Sequence, residues 1–254
     1  MQFAHWGNLL PLSVIVWTGQ MIVFHGGALG FEWCGRAGAF RGFKLRNGDS
    51  CTYAELLPRV LFNQTFILLP AMWLCGRLGI AFAGPPRIGL GFAAAALVLL
   101  TVGHDVVQYA AHRALLHNPR FRWLGHHLHH STGAATSLSA CYMSGPDFFL
   151  TIVCPYLIPL IAIGGGTSDV GFQLLVASLG AIGGLYEHSG YDFGVGIRNA
   201  AASREASILR HVLNSLVSSR AHREHHGRSR VSFSDGFGSP GLCDTIFRTR
   251  WDLR

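Results

Sequence analysis

Residues 88–111 read IGLGFAAAALVLLTVGHDVVQYAA, and this run decides the fold because it holds one carboxylate and no Lys or Arg. An α-helix needs about 20 such residues to cross the hydrocarbon core of a bilayer. The runs 9–31 and 60–83 reach that length as well, and the shorter runs 148–164 and 170–187 meet at GGGTSD. The sequence therefore predicts an all-α, polytopic membrane bundle of about four to five hydrophobic helices. Fewer crossings follow if the first run is re-entrant or the last two only dip into the bilayer.

The composition favours one membrane domain over the whole chain. Of the 254 residues 50% are hydrophobic and 13% are charged, and the mean hydropathy is +0.32, whereas soluble domains have about 25% charged residues. We expect anchor helices in residues 1–99 and a catalytic region in residues 100–254. The net charge of +7 comes from segments that flank the apolar runs, so anionic lipid or an acidic protein is the expected partner, and nucleic acid is not.

The positions of Lys and Arg predict the orientation in the membrane. If the chain alternates through five spans, Arg87 lies on one side and Arg77 lies within a span, while the other 18 of the 20 basic residues lie on the opposite side. The side rich in Lys and Arg is cytosolic. All histidine-rich segments fall on it, so we expect a multi-pass integral membrane protein with its metal site on the cytosolic face, in the endoplasmic reticulum if the source is a eukaryote.

Two segments on that side repeat one histidine pattern. WLGHHLHHST at 123–132 and SRAHREHHGR at 219–228 both contain H-x-x-H-H, of which random placement gives on the order of 0.04 per chain. Positions i, i+3 and i+4 lie within one helical turn, so we expect each box to present three rings in one direction. Because histidine is the commonest metal ligand, the repeat predicts metal binding rather than a solvated polar face. The predicted ligands are His126, His129, His130, His222, His225 and His226.

Histidines at the ends of two apolar runs extend the ligand set. His112 and His117 lie in HRALLH, but five residues of continuous α-helix separate them by about 140°, so they share an ion only if the helix ends or distorts. Asn118-Pro119 is a helix stop at that place. His188, which follows the last run, is the ninth predicted ligand. The histidines at 104 and 211 are reserves outside the set.

Nine imidazoles exceed the four to six ligands that one first-row ion accepts, so the sequence predicts two ions. Asp105 and Tyr109 share one helix face with His112. We expect them to orient a ligand, with Asp105 accepting a hydrogen bond from an imidazole N–H; a salt bridge from Asp105 to Arg113 is the alternative. We expect no catalytic residue beyond the ligands and no nucleotide-binding site, since no G-x-G-x-x-G motif opens a helix.

Five motifs in one order resemble the fatty acid hydroxylase and sterol desaturase superfamily of membrane non-haem di-iron oxygenases. They are HDVVQYAAHRALLH, WLGHHLHHST, EHSGYDFG, AHREHH and GLCDTIFRTR, and they cover residues from about 100 to 250. The resemblance implies two iron ions held by the nine histidines named above, box by box. It implies an oxidoreductase that uses O₂ to hydroxylate or desaturate a sterol, fatty acid or sphingolipid, with electrons from an external donor such as cytochrome b5 or a ferredoxin with its reductase. HSGYD is most similar to the sterol C4-methyl oxidase-like branch.

Two other functions stay open on the residues alone. A zinc-dependent membrane hydrolase needs a general-base glutamate beside its ligands, and Glu224 lies in H-R-E-H-H rather than in H-E-x-x-H. A non-catalytic metal or haem carrier would use isolated histidines deep in the bilayer. Metal analysis separates the three: two irons with O₂-dependent turnover, zinc without redox change, or a haem absorption band.

Overall fold

The computed structural model describes residues 10–46, 48, 50–199, 217–234, 236, 238–239 and 241–253, with side chains only to 196 in the third of these ranges. His211, one of the two reserve histidines, lies outside the described residues. Within them the chain is 70% helical and has no β-strand. The all-α prediction is confirmed.

Five long helices form the bundle, and a shorter sixth helix contains the third histidine box. Helix α2 is interrupted by a π-helical segment, so it has three consecutive parts. The helices are α1 (Leu12–Ala37), α2 (Tyr53–Asn63, Gln64–Leu68 and Leu69–Arg77), α3 (Leu90–Leu116), α4 (Gly145–Ala162), α5 (Val170–Glu187) and α6 (Arg220–Arg228).

Four of the described helices, α1, α3, α4 and α5, are long and apolar enough to cross a membrane. This agrees with the predicted four to five hydrophobic helices. The second predicted span, 60–83, differs in its bounds. A capping box formed by Thr52 and Glu55 starts α2 at Tyr53, within polar sequence, and the helix ends at Arg77. The helix therefore begins seven residues before the predicted span and ends six residues before the end of that span, and it is not one of the four.

The chain connections gather at the two ends of the bundle. At one end Ser168 donates from its backbone to Pro85 O at 3.1 Å and from its hydroxyl to Gly84 O at 2.8 Å. At the other end Leu45 N–H donates to Gly190 O at 2.8 Å. The five long helices therefore alternate in direction, and the histidine segments lie together at the end that contains the ends of α1, α3 and α5.

One cluster of buried apolar side chains joins all five long helices. It includes Val16 from α1, Met72 from α2, Leu100 from α3, Leu160 from α4 and Leu185 from α5. The outward faces of the bundle are apolar as well, with large side chains that are more than half exposed. Examples are Ile22 (69%), Phe66 (66%), Val98 (63%) and Leu99 (56%). An apolar exterior of this kind is stable in lipid and unfavourable in water, so the fold, with its four apolar helices, is that of an integral membrane protein.

Close contact between α3 and α4 depends on a glycine. A Cβ at Gly103 would lie 2.7 Å from Cβ of Pro159, whose ring cannot rotate away, whereas a Cβ at Gly91 in the same helix meets nothing within 4 Å. We expect Gly103→Ala to lower the free energy of unfolding by about 1–3 kcal/mol through overpacking. Gly91→Ala should be neutral or stabilising by about 0.5–1 kcal/mol. Thermal unfolding of both variants in detergent is the measurement, and equal shifts would contradict the predicted close contact.

Candidate metal centre

The last turn of α3 brings His112 and His117 to one side of the helix. Residues His112–Leu116 are π-helical, and His117 N–H donates to His112 O at 3.0 Å, a bond that spans five residues. A π-turn therefore stacks residues that are five apart. The two Nε2 atoms are 3.3 Å apart. The five-residue spacing of His112 and His117 requires a distorted helix if both rings are to meet. The π-turn is that distortion, and it precedes the helix stop at Asn118-Pro119.

A tight turn after α3 positions the second box. The 3-10 helix Pro119–Leu124 ends at Gly125, which has a φ of 80°. A Cβ there would lie 2.8 Å from Ser144, so both the backbone conformation and the space require glycine. The single helical turn His127–His130 follows directly. Since His126 and His130 are four residues apart on this turn, their Nε2 atoms are brought to 3.0 Å.

The end of α5 and the segment that follows it hold the start of α6. The Tyr186 hydroxyl donates to Val217 O at 2.7 Å, and the Ser219 hydroxyl donates to Tyr191 O at 2.5 Å. These bonds dock the third box against the end of α5, where His188 lies. As a result Nε2 of His222 is 3.0 Å from Nε2 of His188.

All nine predicted ligands lie in two groups, and in each group the candidate ligand atoms are within 4.8 Å of one another. Each H-x-x-H-H box is divided: its i and i+4 rings enter one group and its i+3 ring enters the other. The expectation that a box presents three rings in one direction is therefore wrong, because i+3 and i+4 are about 100° apart around a helix. The five-histidine group contains His112, His117, His126, His130 and His225; the four-histidine group contains His129, His188, His222 and His226.

Hydrogen bonds on the outer side of the five-histidine group determine which ring nitrogens have protons. His112 Nδ1 donates to Phe233 O at 2.7 Å, and His126 Nδ1 donates to an Asp147 carboxylate oxygen at 3.0 Å. An imidazole in its neutral, metal-binding form has one N–H, so in that form both Nε2 atoms have free lone pairs. They are nevertheless only 2.9 Å apart. Two facing lone pairs repel, and a cation between them turns the repulsion into coordination.

The nitrogen spacing within the five-histidine group matches a first-row metal ion. The Nε2 atom of His225 is 3.1 Å from that of His117 and 3.2 Å from that of His130. Metal–imidazole bonds of about 2.1 Å place neighbouring ligand atoms at right angles about 3 Å apart. His225 Nδ1 donates to Val231 O at 2.7 Å, so its Nε2 lone pair also faces inward. The group therefore fits an ion in chemistry and in size.

In the four-histidine group the Nε2 atoms of several rings are again close together, but fewer rings have a hydrogen-bond acceptor behind Nδ1. His188 Nδ1 donates to Gly184 O at 3.0 Å, and its Nε2 is 3.2 Å from Nε2 of His129. Both ring nitrogens of His226 lack a hydrogen-bond partner in the described part of the chain although they are buried. A buried polar atom without a partner costs about 1–3 kcal/mol. Coordination of an ion would remove that cost.

Burial lowers the pKa of several of these rings and so favours the neutral form, which is the form that binds metals. Burial lowers the pKa of His117 and of His130 to about 3 and that of His188 to about 4. Burial and then repulsion between neighbouring rings hold the pKa of His129 and His225 well below the usual value. At neutral pH these lone pairs are available to an ion. That the nine residues bind ions stays a prediction.

The expected roles of Asp105 and Tyr109 are wrong, since neither hydrogen-bonds an imidazole in the part of the chain that the structure describes. Asp105 accepts hydrogen bonds from the backbone of Leu242 and Cys243, each at 3.0 Å. It also makes no salt bridge with Arg113, whose guanidinium donates to the Tyr109 hydroxyl. The reason is that the C-terminal segment packs against this face of α3, a contact that helical periodicity cannot reveal.

Asp147 takes the role that was expected of Asp105. Its side chain is fully buried and accepts from His126. A signal was present in the sequence, because Asp147 is a lone carboxylate at the start of the apolar run 148–164. Glu187 was missed too, and one of its carboxylate oxygens lies 3.9 Å from Nδ1 of His222.

The remaining candidates lie outside both groups. Glu224 pairs with Arg223 at 3.1 Å and with Arg228 at 3.2 Å, so its carboxylate is engaged by arginines rather than by a histidine group. His104 and His127 are exposed and belong to neither group.

The family comparison agrees with this geometry. Residues 97–249 match the profile of the family described as fatty acid hydroxylase, a range that contains all nine grouped histidines and more than half of the chain. Comparison with curated proteins gives no match, and comparison with solved structures gives none either. The matched range and the histidine boxes within it lead to one conclusion: the chain belongs to the fatty acid hydroxylase family.

Proposed function

We propose that the protein is an oxidoreductase of lipid metabolism that binds two iron ions through the nine histidines and uses O₂ to hydroxylate or desaturate a lipid in the bilayer. The observation that supports this most directly is the convergence of Nε2 lone pairs in two adjacent groups. The groups adjoin each other, since the ring centroids of His130 and His226 are 4.6 Å apart. Family membership supports the reaction class.

The donor set and the membrane setting favour iron over zinc. Imidazole binds iron, copper and zinc, and neither group contains a cysteine thiolate of the kind found in structural zinc sites. Oxidation of an unreactive C–H bond needs a redox-active ion, and two bound irons would supply the activation of O₂. A zinc hydrolase would also need a general-base glutamate beside its ligands. Glu224, which lies within the third histidine box, is paired with arginines instead. A zinc hydrolase is therefore the weaker proposal.

Side chains of this protein would orient the ions and keep water away. Asp147 fixes the tautomer of His126 by accepting its Nδ1–H at 3.0 Å. The Phe233 ring lies edge-on to His117, with centroids 5.4 Å apart, and to His225, at 5.6 Å. Because Phe233 and His225 are both buried, the Phe233 side of the five-histidine group is shielded from solvent. A dry site protects reactive species from side reactions with water.

A lipid substrate suits the position of the centre. His112 belongs to α3 and His188 follows α5, two of the helices that are able to cross a membrane. The centre therefore lies where an apolar chain or ring can approach from the bilayer. Within the lipids we propose a sterol, as in the sterol C4-methyl oxidase-like branch, on the resemblance of HSGYD at residues 188–192.

We propose further that the centre faces the cytosol, in the endoplasmic reticulum if the source is a eukaryote. Most of the Lys and Arg that the structure describes lie at that end of the bundle, and Arg113, Arg120 and Arg122 are exposed there. Cytoplasmic segments of membrane proteins are enriched in such residues. The same charge suits an acidic electron donor such as cytochrome b5 or a ferredoxin with its reductase.

We expect reduction by an acidic donor protein to slow about tenfold as ionic strength rises from low to physiological values, because salt screens the attraction that steers the encounter. Stopped-flow measurement of turnover over a salt series tests this. A small uncharged reductant is the control and should show no salt dependence. Salt-independent reduction by the donor protein would contradict the charged docking face.

Metal and product analysis tests the proposed function. The purified protein should contain two irons per chain, and with reductant it should convert a lipid by gain of one oxygen atom or loss of two hydrogen atoms. Omission of O₂ should stop conversion. Lipidomics of cells with and without the protein identifies the substrate. Stoichiometric zinc with O₂-independent hydrolysis would overturn the proposal, and so would a haem absorption band.

A further inference from the structure

One short loop supplies the acceptors for two rings of the five-histidine group. His112 on α3 donates from Nδ1 to Phe233 O, and His225 on α6 donates from Nδ1 to Val231 O, both at 2.7 Å. These two bonds aim both Nε2 atoms inward. The loop at residues 231–234 therefore couples the first and third boxes, and its own position determines the direction of both rings.

A buried carboxylate outside the ligand set holds that loop. One Asp244 oxygen accepts from Phe233 N–H at 3.0 Å and from the Thr249 hydroxyl at 2.5 Å. The other accepts from Ser234 N–H at 2.7 Å and from the Ser234 hydroxyl at 3.2 Å. Asp244 is fully buried. Hydrogen bonds to a buried carboxylate are strong and directional, so this residue fixes the backbone that presents the two carbonyls.

A second buried carboxylate fixes the helix that contains Asp244. The short helix Leu242–Ile246 begins where Asp105 accepts from Leu242 N–H and Cys243 N–H at 3.0 Å and from the Ser239 hydroxyl at 3.1 Å. Asp105 lies on α3, two turns before His112 in the same helix. Hydrogen bonds thus connect α3 to the helix Leu242–Ile246, this helix to the 231–234 loop, and the loop back to the His112 ring of α3. We call this closed set of contacts the frame.

The four-histidine group has no part in this frame. His188 donates from Nδ1 to Gly184 O, and Nδ1 of His222 lies near Glu187. Among the described residues, no ring of that group bonds to the 231–234 loop. Although α6 supplies rings to both groups, the contacts behind Nδ1 therefore come from different segments in the two groups.

We propose that Asp244 is a positioning residue for the five-histidine ion position alone. It holds the loop whose carbonyls at Val231 and Phe233 orient His225 and His112. This proposal rests on the metal binding of the proposed function and is independent of iron as the ion and of the lipid reaction.

Two single-ligand variants isolate the two ion positions for the test. His222→Ala removes a ligand of the four-histidine group, and His225→Ala removes one of the five-histidine group. Asp244→Asn is introduced into each, and Fe²⁺ and Zn²⁺ are titrated separately under anaerobic conditions. In the His222→Ala background we expect Asp244→Asn to weaken the remaining position about 10–100-fold, the usual effect of losing a partner behind a ligand. In the His225→Ala background it should change the remaining affinity less than twofold.

Asp169→Asn is the matched control, since Asp169 caps α5 at the opposite end of the bundle by accepting from Phe172 N–H at 3.0 Å. It should leave both affinities unchanged. Ser234→Ala, which removes one hydrogen bond to Asp244, should act in the same direction with a smaller effect, and it replaces Asp244→Asn if that variant does not fold. Equal weakening in both backgrounds, or weakening in neither, overturns the proposal. Two tightly bound Zn²⁺ without O₂-dependent turnover would instead overturn the proposed function and leave the Asp244 comparison valid.

Discussion

Replacement of His126 by alanine is expected to lower turnover more than about 100-fold and to reduce bound iron from two ions toward one. Loss of a residue behind a ligand alone costs about 10–100-fold, and loss of the ligand costs more. Only the five-histidine position should be emptied, because His126 contributes to that group and not to the other. Metal analysis of the purified variant, with turnover measured on the same sample, gives both quantities.

His127→Ala is the matched control in the same box. His127 is exposed and belongs to neither group, although it is the direct neighbour of His126. It should therefore retain both ions and full turnover. Both variants should insert in the membrane, since the apolar helices lie elsewhere in the chain. Unchanged iron content in His126→Ala, or equal losses in the two variants, would refute the assignment of His126 as a ligand.

Replacement of Asp147 is expected to have the next largest effect. Asp147→Ala leaves the buried Nδ1–H of His126 without its acceptor, at a cost of about 1–3 kcal/mol, and frees the ring to turn. Metal affinity of the five-histidine position should fall about 10–100-fold. Asp147→Asn keeps an acceptor oxygen without the charge and should recover part of the loss.

The comparison of Asn with Ala separates this role from simple packing. Asp147 is fully buried, and Thr151 donates to its backbone oxygen at 2.8 Å, so the local helix keeps that bond in either variant. Equilibrium dialysis against a chelator measures the affinity, and thermal unfolding monitors the fold. Equal metal loss in Asp147→Asn and Asp147→Ala, accompanied by equal loss of thermal stability, would show that Asp147 stabilises the fold rather than the ligand.

The sequence identified the nine histidines that the structure groups, since repeated spacing and position at the ends of apolar runs are both visible in a linear pattern. The angle between residues five apart around an α-helix also predicted that His112 and His117 need a distorted backbone to meet. That the distortion is a π-turn was not predictable from the sequence. A π-turn departs from regular α-helical geometry, and tertiary contacts stabilise it. The pairing of rings across boxes was missed for a similar reason: it depends on where two separate helices lie relative to each other.

The two buried carboxylates show the same limit. Asp105 and Asp147 both lie at the margin of an apolar run, and the argument that a buried charge needs a partner applies equally to each. Only the packing decides that Asp147 meets His126 while Asp105 meets the backbone of Leu242 and Cys243.

Hydrophobic runs, basic flanks and histidine spacing were sufficient to predict a helical membrane protein with candidate metal ligands at one end, because each is a local property of the sequence that acts through the bilayer or through a single helix. Tertiary structure alone decided how nine rings divide into five and four, which carboxylate orients a ligand, and which backbone carbonyls fix the tautomers. Those outcomes depend on contacts between residues far apart in the chain, and no local pattern encodes the distance between them.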